Sequence, residues 1–182
     1  MLREVSLKNK PEAMLIASPK ATVPVLICNT KTIIDESMEI MHWALNRNDP
    51  EKWLQASRNN TINTLIEHND SQFKIHLDHY KYADRFPDYP ALVYRARGET
   101  FLKQLEHCLT QNNFLISDSI SLADTALFPF IRQFASVDST WFAASPYPKL
   151  HNWLNFWLNS NLFHSVMKKQ PVWNRQQKSI LL

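Results

Sequence analysis

One short apolar stretch that contains a proline limits how this chain can fold more than any other feature. It reads Val23-Pro24-Val25-Leu26-Ile27-Cys28, and its β-branched residues are typical of a strand. A strand tolerates proline only at an end, at an edge or with special geometry, because proline has no N–H group for the ladder. Two alternatives stay open: an edge strand with a trans proline, or a cis Val23–Pro24 bond. The cis bond would turn the main chain of Val23 outward, where it could pair with an extended peptide.

The residues that follow this stretch predict a hairpin and then a helix. A break at Asn29-Thr30-Lys31 leads to a second strand, Thr32-Ile33-Ile34. Asp35-Glu36-Ser37 then begins a helix that runs to about Leu45. A carboxylate and a hydroxyl at a helix start can hold the ammonium and the carboxylate of a ligand, because the helix N–H groups and dipole stabilise anions. The same three residues are also typical of a plain N-cap.

The segment ahead of the apolar stretch predicts one more strand and one short helix. The strand is expected at Arg3–Leu7, and Pro11 suits the first position of a helix at Pro11–Ala17. Lys10 stands immediately before this helix. A single lysine at such a place is usually a solvated surface charge. Ser18-Pro19-Lys20 then indicates a turn.

From residue 46 onwards the pattern changes to helices alone. Asn46-Arg47-Asn48-Asp49-Pro50 is polar and ends in proline, which indicates a domain boundary between residues 1–45 and residues 46–182. Apolar residues then recur at helical spacing. The predicted helices cover, in chain order, residues 51–69, 71–80, 91–109, a segment after Ser121, 148–159 and 162–169.

The sequence Ser121-Leu122-Ala123-Asp124 predicts how the most apolar of these helices begins. A serine and a carboxylate three residues later form a reciprocal cap for the backbone donors at a helix start. Because the helix that follows is largely apolar, its start is expected to be buried, where an unmet N–H group is costly. Ser121 and Asp124 are therefore structural and not catalytic. Pro129 is expected to bend this helix.

Composition and charge exclude several classes of protein. Hydrophobic residues make up 45% of the 182 residues, as in a folded globular protein. The net charge of +3 and the lack of a long Lys/Arg tract argue against nucleic-acid binding. No apolar run is long enough to cross a membrane and no signal-peptide pattern begins the chain, so we expect a cytoplasmic protein without a membrane partner.

No pattern predicts a metal site. Cys28 and Cys108 lie far apart without metal-ligand spacing, so both are interpreted as reduced core residues. His76 and His79 are i, i+3 neighbours on a predicted helix, but a third ligand is not evident. We therefore interpret both histidines as surface residues and expect no metal.

Taken together, these residues resemble the glutathione transferase family. The likeness rests on Ser-Pro-Lys-x-Thr-Val-Pro-Val-Leu from Ser18 and on Ile-x-Glu-Ser-x-x-Ile from Ile34. The segment Ser6–Glu12 is similar to the omega-type branch and to related bacterial members. The resemblance runs from about Arg3 to the C-terminus. It implies an α+β/α fold class, with a truncated thioredoxin-like N-terminal half-domain followed by an all-helical C-terminal domain.

The resemblance also implies a binding site. Val23, Pro24, Glu36 and Ser37 match the glutathione-binding half-site of the family, and the matching lysine in relatives meets the glycine carboxylate of glutathione, which assigns Lys10. Glutathione is the implied co-substrate. The second substrate is expected to be a small hydrophobic or disulfide compound, and the protein is expected to be a homodimer, as the family usually is.

A complete member of the family begins with a strand and a helix ahead of the position of Arg3, and that segment carries the thiol-activating residue. The sequence therefore predicts a truncated chain in which no residue matches the nucleophile. Three functions stay open: a glutathione-conjugating or thiol-transferring enzyme with impaired activity, a non-catalytic glutathione-binding or interaction scaffold, and a remnant without function. The strands at Arg3–Leu7 and Val23–Cys28 are left with open edges, which either pair directly, take a strand from another chain, or leave the N-terminal segment disordered.

The chain holds a single glycine, Gly98. Relatives usually have glycine at three further places, which Ala21, Asn29-Thr30-Lys31 and Ile116-Ser117-Asp118 hold here. Glycine adopts a positive φ without steric cost, whereas other residues do not. Any of these places that needs a positive φ is therefore expected to carry strain or to have changed its turn type.

Overall fold

The computed structural model describes residues 1–28, 32–54, 60–174 and 180. The chain divides into two compact units. Unit 1 consists of Met1–Asn48 and Ser165–Leu182, and unit 2 consists of Asp49–His164. The sequence-based domains, residues 1–45 and 46–182, stay a prediction.

Unit 1 contains a β-hairpin between two short helices. In chain order, its elements are α1 (Glu12–Ala17), β1 (Leu26–Ile27), β2 (Ile33–Ile34) and α2 (Ser37–Leu45). The strands are antiparallel, with Leu26 opposite Ile34 and Ile27 opposite Ile33. The predicted hairpin is confirmed, although each strand is only two residues long. The predicted turn at residues 29–31 lies outside the described residues.

The prediction of a strand at Arg3–Leu7 is wrong. This segment makes isolated main-chain pairs: the Trp173 N–H group donates to the Glu4 carbonyl at 2.8 Å, and the Leu2 N–H group donates to the Ile180 carbonyl at 2.8 Å. A strand needs a ladder of successive pairs, and single pairs do not build one. The C-terminal residues of unit 1 thus pair with the N-terminal segment, an arrangement that the sequence analysis did not consider.

The expectation of backbone strain is confirmed at Ala21. This residue has a φ of 56°, and its N–H group donates to the Ser18 carbonyl at 3.0 Å. A residue with a Cβ atom in this left-handed region loses about 1–2 kcal/mol relative to its usual conformations. Residues 116–118 have no positive φ, so the expected strain does not occur there.

Unit 2 is built from helices, and the last of them extends into the C-terminal segment of unit 1. The elements are α3 (Asn60–His68), a π-helical turn (Asn69–Phe73), α4 (Lys74–Lys81), a 3-10 turn (Ala83–Arg85), α5 (Ala91–Gln111), α6 (Leu122–Val137), α7 (Ser139–Ala144), α8 (Pro148–Leu158) and α9 (Asn161–Val166). The fold class is confirmed: a thioredoxin-like N-terminal part precedes a helical C-terminal part. None of the described helices is long and apolar enough to cross a membrane.

The predicted helix from Glu51 begins too early. Residues 51–54 form turns, and α3 is described from Asn60 onwards. The Asp49 carboxylate accepts hydrogen bonds from the N–H groups of Trp53 (2.8 Å) and Leu54 (2.9 Å). Lys52 has a φ of 61°, which an α-helix does not allow. The helical spacing of Trp53 and Leu54 was therefore misleading, because a local side-chain cap determines the backbone there.

In the core of unit 2, α5 packs against α4 and α8, and α6 packs against α3 and α4. Tyr94, Phe101 and Leu105 of α5 are buried, as the predicted apolar stripe requires. Gly98 lies on the same face, and a Cβ atom placed there would come within 2.5 Å of the Phe134 ring. The only glycine of the chain therefore allows two helices to approach closely. A methyl group at this position would force the ring of Phe134 to move.

A reciprocal cap begins α6 in the structure. The Asp124 carboxylate accepts hydrogen bonds from the N–H and hydroxyl groups of Ser121 at 2.9 and 2.6 Å. It also accepts from the Leu115 N–H group at 3.0 Å and from the indole N–H group of Trp153 at 2.8 Å. Ser121 and Asp124 are both fully buried. The network joins the loop after α5, the start of α6 and the helix α8. Pro129 lies inside α6, and the bend expected there stays a prediction.

We expect the substitution Ala21→Gly to raise the free energy of unfolding of unit 1 by about 1 kcal/mol. Glycine removes the Cβ clash of the left-handed conformation, and the greater entropy of the unfolded chain offsets part of that gain. Ala13→Gly, on an exposed position of α1, is the matched control and should lower stability by about 0.5–1 kcal/mol. Urea titration followed through the amide signals of unit 1 measures both. An equal loss in the two variants would show that Ala21 is not strained.

Candidate functional site

A polar cluster in unit 1 joins the turn after α1 to the start of α2. The hydroxyl of Ser18 donates to the Asp35 carboxylate at 2.7 Å. The Lys20 ammonium donates to Asp35 at 3.0 Å and to Glu36 at 2.7 Å. Ser18 is buried, whereas Lys20 and Glu36 are exposed. One cation therefore faces two carboxylates, and the cluster carries a net charge of −1.

The local backbone explains how these side chains meet. Ser18 ends α1, where its N–H group donates to the Met14 carbonyl. Asp35 and Glu36 occupy the two positions between the end of β2 and the start of α2. The turn at Ser18-Pro19-Lys20 directs the chain back, and the left-handed Ala21 follows it directly. Two short connections thus bring residues 15 to 17 positions apart in sequence into contact.

Hydrogen bonds within the cluster shift the pKa values of its members. The Ser18 hydroxyl, followed by the Lys20 ammonium, lowers the pKa of Asp35 below its usual value. The carboxylates of Glu36 and Asp35 raise the pKa of Lys20. Donors that face a carboxylate favour its charged form, and carboxylates that face an ammonium favour the charged amine. Both pKa shifts therefore favour the charged forms of Asp35 and Lys20.

The Val23–Pro24 bond is cis, which confirms the second of the two geometries that the sequence left open. Pro24 lies ahead of the ladder, because β1 begins only at Leu26. Val23 is 45% exposed. Within the described part of the chain, its N–H and C=O groups make no hydrogen bond. The main chain of Val23 is thus available to a ligand.

Neither Glu36 nor Ser37 acts as a plain cap of α2. Glu36 precedes the first turn, but its side chain makes no capping hydrogen bond and turns to Lys20 instead. Ser37 is the first residue of α2 and is exposed, and its hydroxyl has no partner among the described residues. An exposed carboxylate and an unused hydroxyl at a helix start fit a ligand that carries both an ammonium and a carboxylate.

Lys10 does not join this cluster. It is half-buried and lies two residues before α1, and its ammonium makes no ion pair or hydrogen bond with any described residue. The structure therefore brings Glu36 together with Lys20, Asp35 and Ser18, and leaves the assignment of Lys10 as a prediction. Sequence reasoning missed the role of Ser18 and Lys20, because both were interpreted as turn residues. The signal in the sequence was a lysine before the hairpin, Lys20, and a pair of acidic residues after it, Asp35 and Glu36.

The other candidates from the sequence lie apart from this cluster. Cys28 follows β1 and is half-buried, and its N–H group donates to the Thr32 carbonyl at 3.0 Å. His76 and His79 are half-buried on α4, so their interpretation as surface residues needs correction. The ring of His79 packs against Phe86 and against a second aromatic ring. No group of three metal-ligating side chains occurs in the part of the chain that the structure describes.

We expect Ser18→Ala to move the pKa of Asp35 up towards its usual value of about 3.9, because the largest cause of the lowered pKa is removed. A carboxyl group with a lowered pKa stabilises the fold above its unfolded-state pKa, and this contribution is lost as the pH falls through the folded-state pKa. The variant should therefore lose it at higher pH than the wild type. NMR titration of the Asp35 carboxyl carbon measures the shift. Ser6→Ala, in the same unit, is the control, and an unchanged Asp35 titration in Ser18→Ala would contradict the assignment.

Comparison with known proteins identifies two domains in the chain. Residues 1–53 match the glutathione S-transferase N-terminal domain, and residues 53–155 match the glutathione S-transferase C-terminal domain. No curated protein sequence matches the chain.

Solved structures of low sequence identity share the fold. A glutathione S-transferase from Rhodospirillum rubrum F11 is 16% identical with a TM-score of 0.71, covering 91% of this chain and 79% of its own. A glutathione transferase from Burkholderia graminis, with two glutathione molecules bound per subunit, is 15% identical with a TM-score of 0.71, covering 85% and 70%. A glutathione S-transferase-I bound with lactoylglutathione is 20% identical with a TM-score of 0.68, covering 86% and 78%. The matches to both domains, of which the C-terminal one alone spans more than half of the residues, show that this chain belongs to the glutathione S-transferase family.

Proposed function

We propose that this chain binds glutathione at the start of α2. The observation that carries the proposal is the exposed pair Glu36 and Ser37, whose side chains do not cap the helix. Two of the structurally similar family members, the Burkholderia graminis protein and the one bound with lactoylglutathione, hold glutathione or a derivative of it. Glutathione is therefore the ligand that we assign to Glu36 and Ser37.

The chemistry of the tripeptide suits the groups that unit 1 offers. Its γ-glutamyl end carries an ammonium and a carboxylate, which we assign to Glu36 and to the Ser37 hydroxyl with the N–H groups of α2. Its central cysteinyl residue offers an amide N–H and a C=O, which we assign to the main chain of Val23 beside Pro24. Its glycine carboxylate is assigned to Lys10. The two charged ends and the main chain of the ligand are thus each assigned a group of opposite charge or complementary hydrogen-bonding character, and the thiol is assigned none.

We assign Lys20 the role of positioning the Glu36 carboxylate in this site. Its ammonium donates to the Glu36 carboxylate at 2.7 Å, at the group that the ligand ammonium is proposed to approach. Glu36 accepts through two oxygens, so it can accept from both cations when Lys20 keeps its second hydrogen bond, to Asp35. The net charge of −1 on the cluster favours the arrival of one more cation. Lys20 therefore holds Glu36 in place for the ligand.

We expect Ser37→Ala to weaken glutathione binding by about 1 kcal/mol, and Glu36→Gln to weaken it by about 1.5–3 kcal/mol. The first change removes a hydrogen bond, and the second removes a charge-assisted one. Titration calorimetry on the purified chain measures both. Glu39→Gln is the matched control, because Glu39 is exposed in the first turn of α2 but makes no contact with the cluster. Unchanged affinity for glutathione in both Ser37→Ala and Glu36→Gln would contradict the assignment of this site.

We further propose that the reaction is glutathione conjugation or glutathione-dependent thiol transfer, at a low rate. The proposed contacts hold the two ends and the main chain of glutathione, and none of them stabilises its thiolate. A thiolate without a positioned donor forms less readily, and the loss of one such donor typically costs about two to three orders of magnitude in rate. A non-catalytic glutathione-binding scaffold is the second candidate, and it rests on the same observation. A homodimer, a hydrophobic or disulfide second substrate and a cytoplasmic location stay predictions.

We expect the purified chain to show little turnover with an aromatic electrophile or with a small mixed disulfide. Steady-state kinetics at saturating glutathione measure this rate. Mass spectrometry of the intact protein confirms that the purified sample is the 182-residue chain. Cys28→Ser is the control, since Cys28 is the one cysteine described in unit 1. Turnover typical of an efficient transferase would contradict the proposal of a low rate. If that turnover disappeared in Cys28→Ser, the thiol of Cys28 would be the reacting group.

A further inference from the structure

A cleft lies in unit 2, between α5 and the continuous run of α3, the π-helical turn and α4. Its volume is about 160 Å³. Two buried phenyl rings, Phe73 and Phe101, form part of its wall. The remaining lining is polar and contains no carboxylate: His68, Gln72, His76, Arg97 and Thr100.

His76, which lines this cleft, carries an unmet hydrogen-bonding group. Its Nδ1 atom is buried and has no hydrogen-bond partner among the described residues. Buried polar atoms without a partner are uncommon, and each one calls for an explanation such as a bound ion or ligand. A ligand that accepts a hydrogen bond from the His76 ring would satisfy this atom when the imidazole is protonated.

Arg97 adds a permanent positive charge to the cleft. Its guanidinium lies over the ring of Tyr89 at 4.3 Å, and it takes part in none of the ion pairs of the described residues. Stacking on a ring face leaves the N–H donors at the edge of the guanidinium free for hydrogen bonds. Arg97 is therefore oriented by an aromatic ring and lacks an anionic partner.

Gln72 and Thr100 add neutral donors to the cleft, and Gln104 orients the ring of His68. The Nδ1 atom of His68 lies 2.8 Å from the amide oxygen of Gln104, so this nitrogen carries the proton and donates. The same ring contacts Phe101 with a centroid distance of 4.9 Å. The Thr100 hydroxyl and the Gln72 amide can each donate one more hydrogen bond. Together the cleft offers donors from the π-helical turn, α4 and α5, whereas the Nε2 atom of a neutral His68 ring is an acceptor.

We propose that this cleft binds a small oxyanion, with Arg97 as the charged anchor and His76 as a proton-dependent donor. The volume suits an ion of the size of sulfate, phosphate or a short carboxylate, since sites for drug-sized ligands measure about 300–1,000 Å³. Neither histidine belongs to the glutathione site, so this proposal does not rest on the proposed function. The shared chemistry is the charged oxygen, and the experiment distinguishes a tetrahedral ion from a planar one.

Binding should depend on pH through His76. Burial, followed by the charges of Arg97, His79 and His68, lowers the pKa of His76 below its usual value. Lys74, on the same helix, is neutralised by Asp70 at 2.7 Å. A bound anion favours the charged imidazolium, so it raises the pKa of His76, and by linkage the affinity rises as the pH falls through that pKa.

The test is a titration of the full chain with sulfate and, separately, with acetate, followed by the imidazole signals of His76 in NMR spectra. We expect saturable shifts that are larger at about pH 5.5 than at about pH 7.5, on either side of the usual imidazole pKa. Arg97→Gln should weaken binding by about tenfold or more, which is the typical effect of one charge-assisted hydrogen bond. His76→Gln should retain part of the affinity and lose its pH dependence. A response to sulfate alone would assign a tetrahedral anion, and a response to acetate alone would assign a carboxylate.

Arg85→Gln is the matched control. Arg85 is exposed and lies over the ring of Tyr82 at 4.7 Å, so this variant removes an equal charge from a similar ring contact outside the cleft. Its affinity for the anion should equal that of the wild type. The proposal is overturned if neither anion shifts the His76 signals, or if Arg85→Gln loses as much affinity as Arg97→Gln.

Discussion

The buried carboxylate of Asp124 is the interaction on which the larger unit depends. It accepts four hydrogen bonds, from the loop after α5, from both donors of Ser121 and from the indole of Trp153 in α8. Burial raises the pKa of Asp124, while the four donors act in the opposite direction and favour its charge. No ion pair within the described residues includes it. Because a buried carboxylate is costly unless it is hydrogen-bonded, these four donors stabilise it and connect three segments of the chain.

The smaller unit uses charge in a different way. Lys20 joins two carboxylates at the protein surface, where solvent screens an isolated ion pair and limits its effect on stability. This cluster is better understood as positioning than as stabilisation. It fixes the Glu36 carboxylate next to an unused serine hydroxyl, and it leaves the helix start open to a ligand. The buried network of Asp124 stabilises the fold, whereas the exposed cluster around Lys20 positions the carboxylate that we propose to bind glutathione.

Local sequence patterns predicted the elements whose cause is local. The hairpin at β1 and β2, the long helix α5 and the cap at Ser121 and Asp124 each follow from residues within a few positions of one another. The same holds for the strained Ala21, where an alanine occupies a position with positive φ. The family also follows from the sequence, because its motifs lie within two short runs.

What depends on distant residues came only from the tertiary structure. The strand predicted at Arg3–Leu7 is absent because its partners are single residues of the distant C-terminal segment. The helix predicted from Glu51 is a different case, because a local cap by Asp49 replaces it at residues 51–54. In the candidate site, Glu36 and Ser37 could be assigned from their motif, whereas the contacts of Lys20 and Ser18 could not. The cleft of Arg97 and His76 likewise lies between two separate helices, α5 and α4. The sequence thus determined the family, the local elements and the types of residue at the site, and the tertiary structure decided which charges meet, because those contacts depend on how separate segments pack.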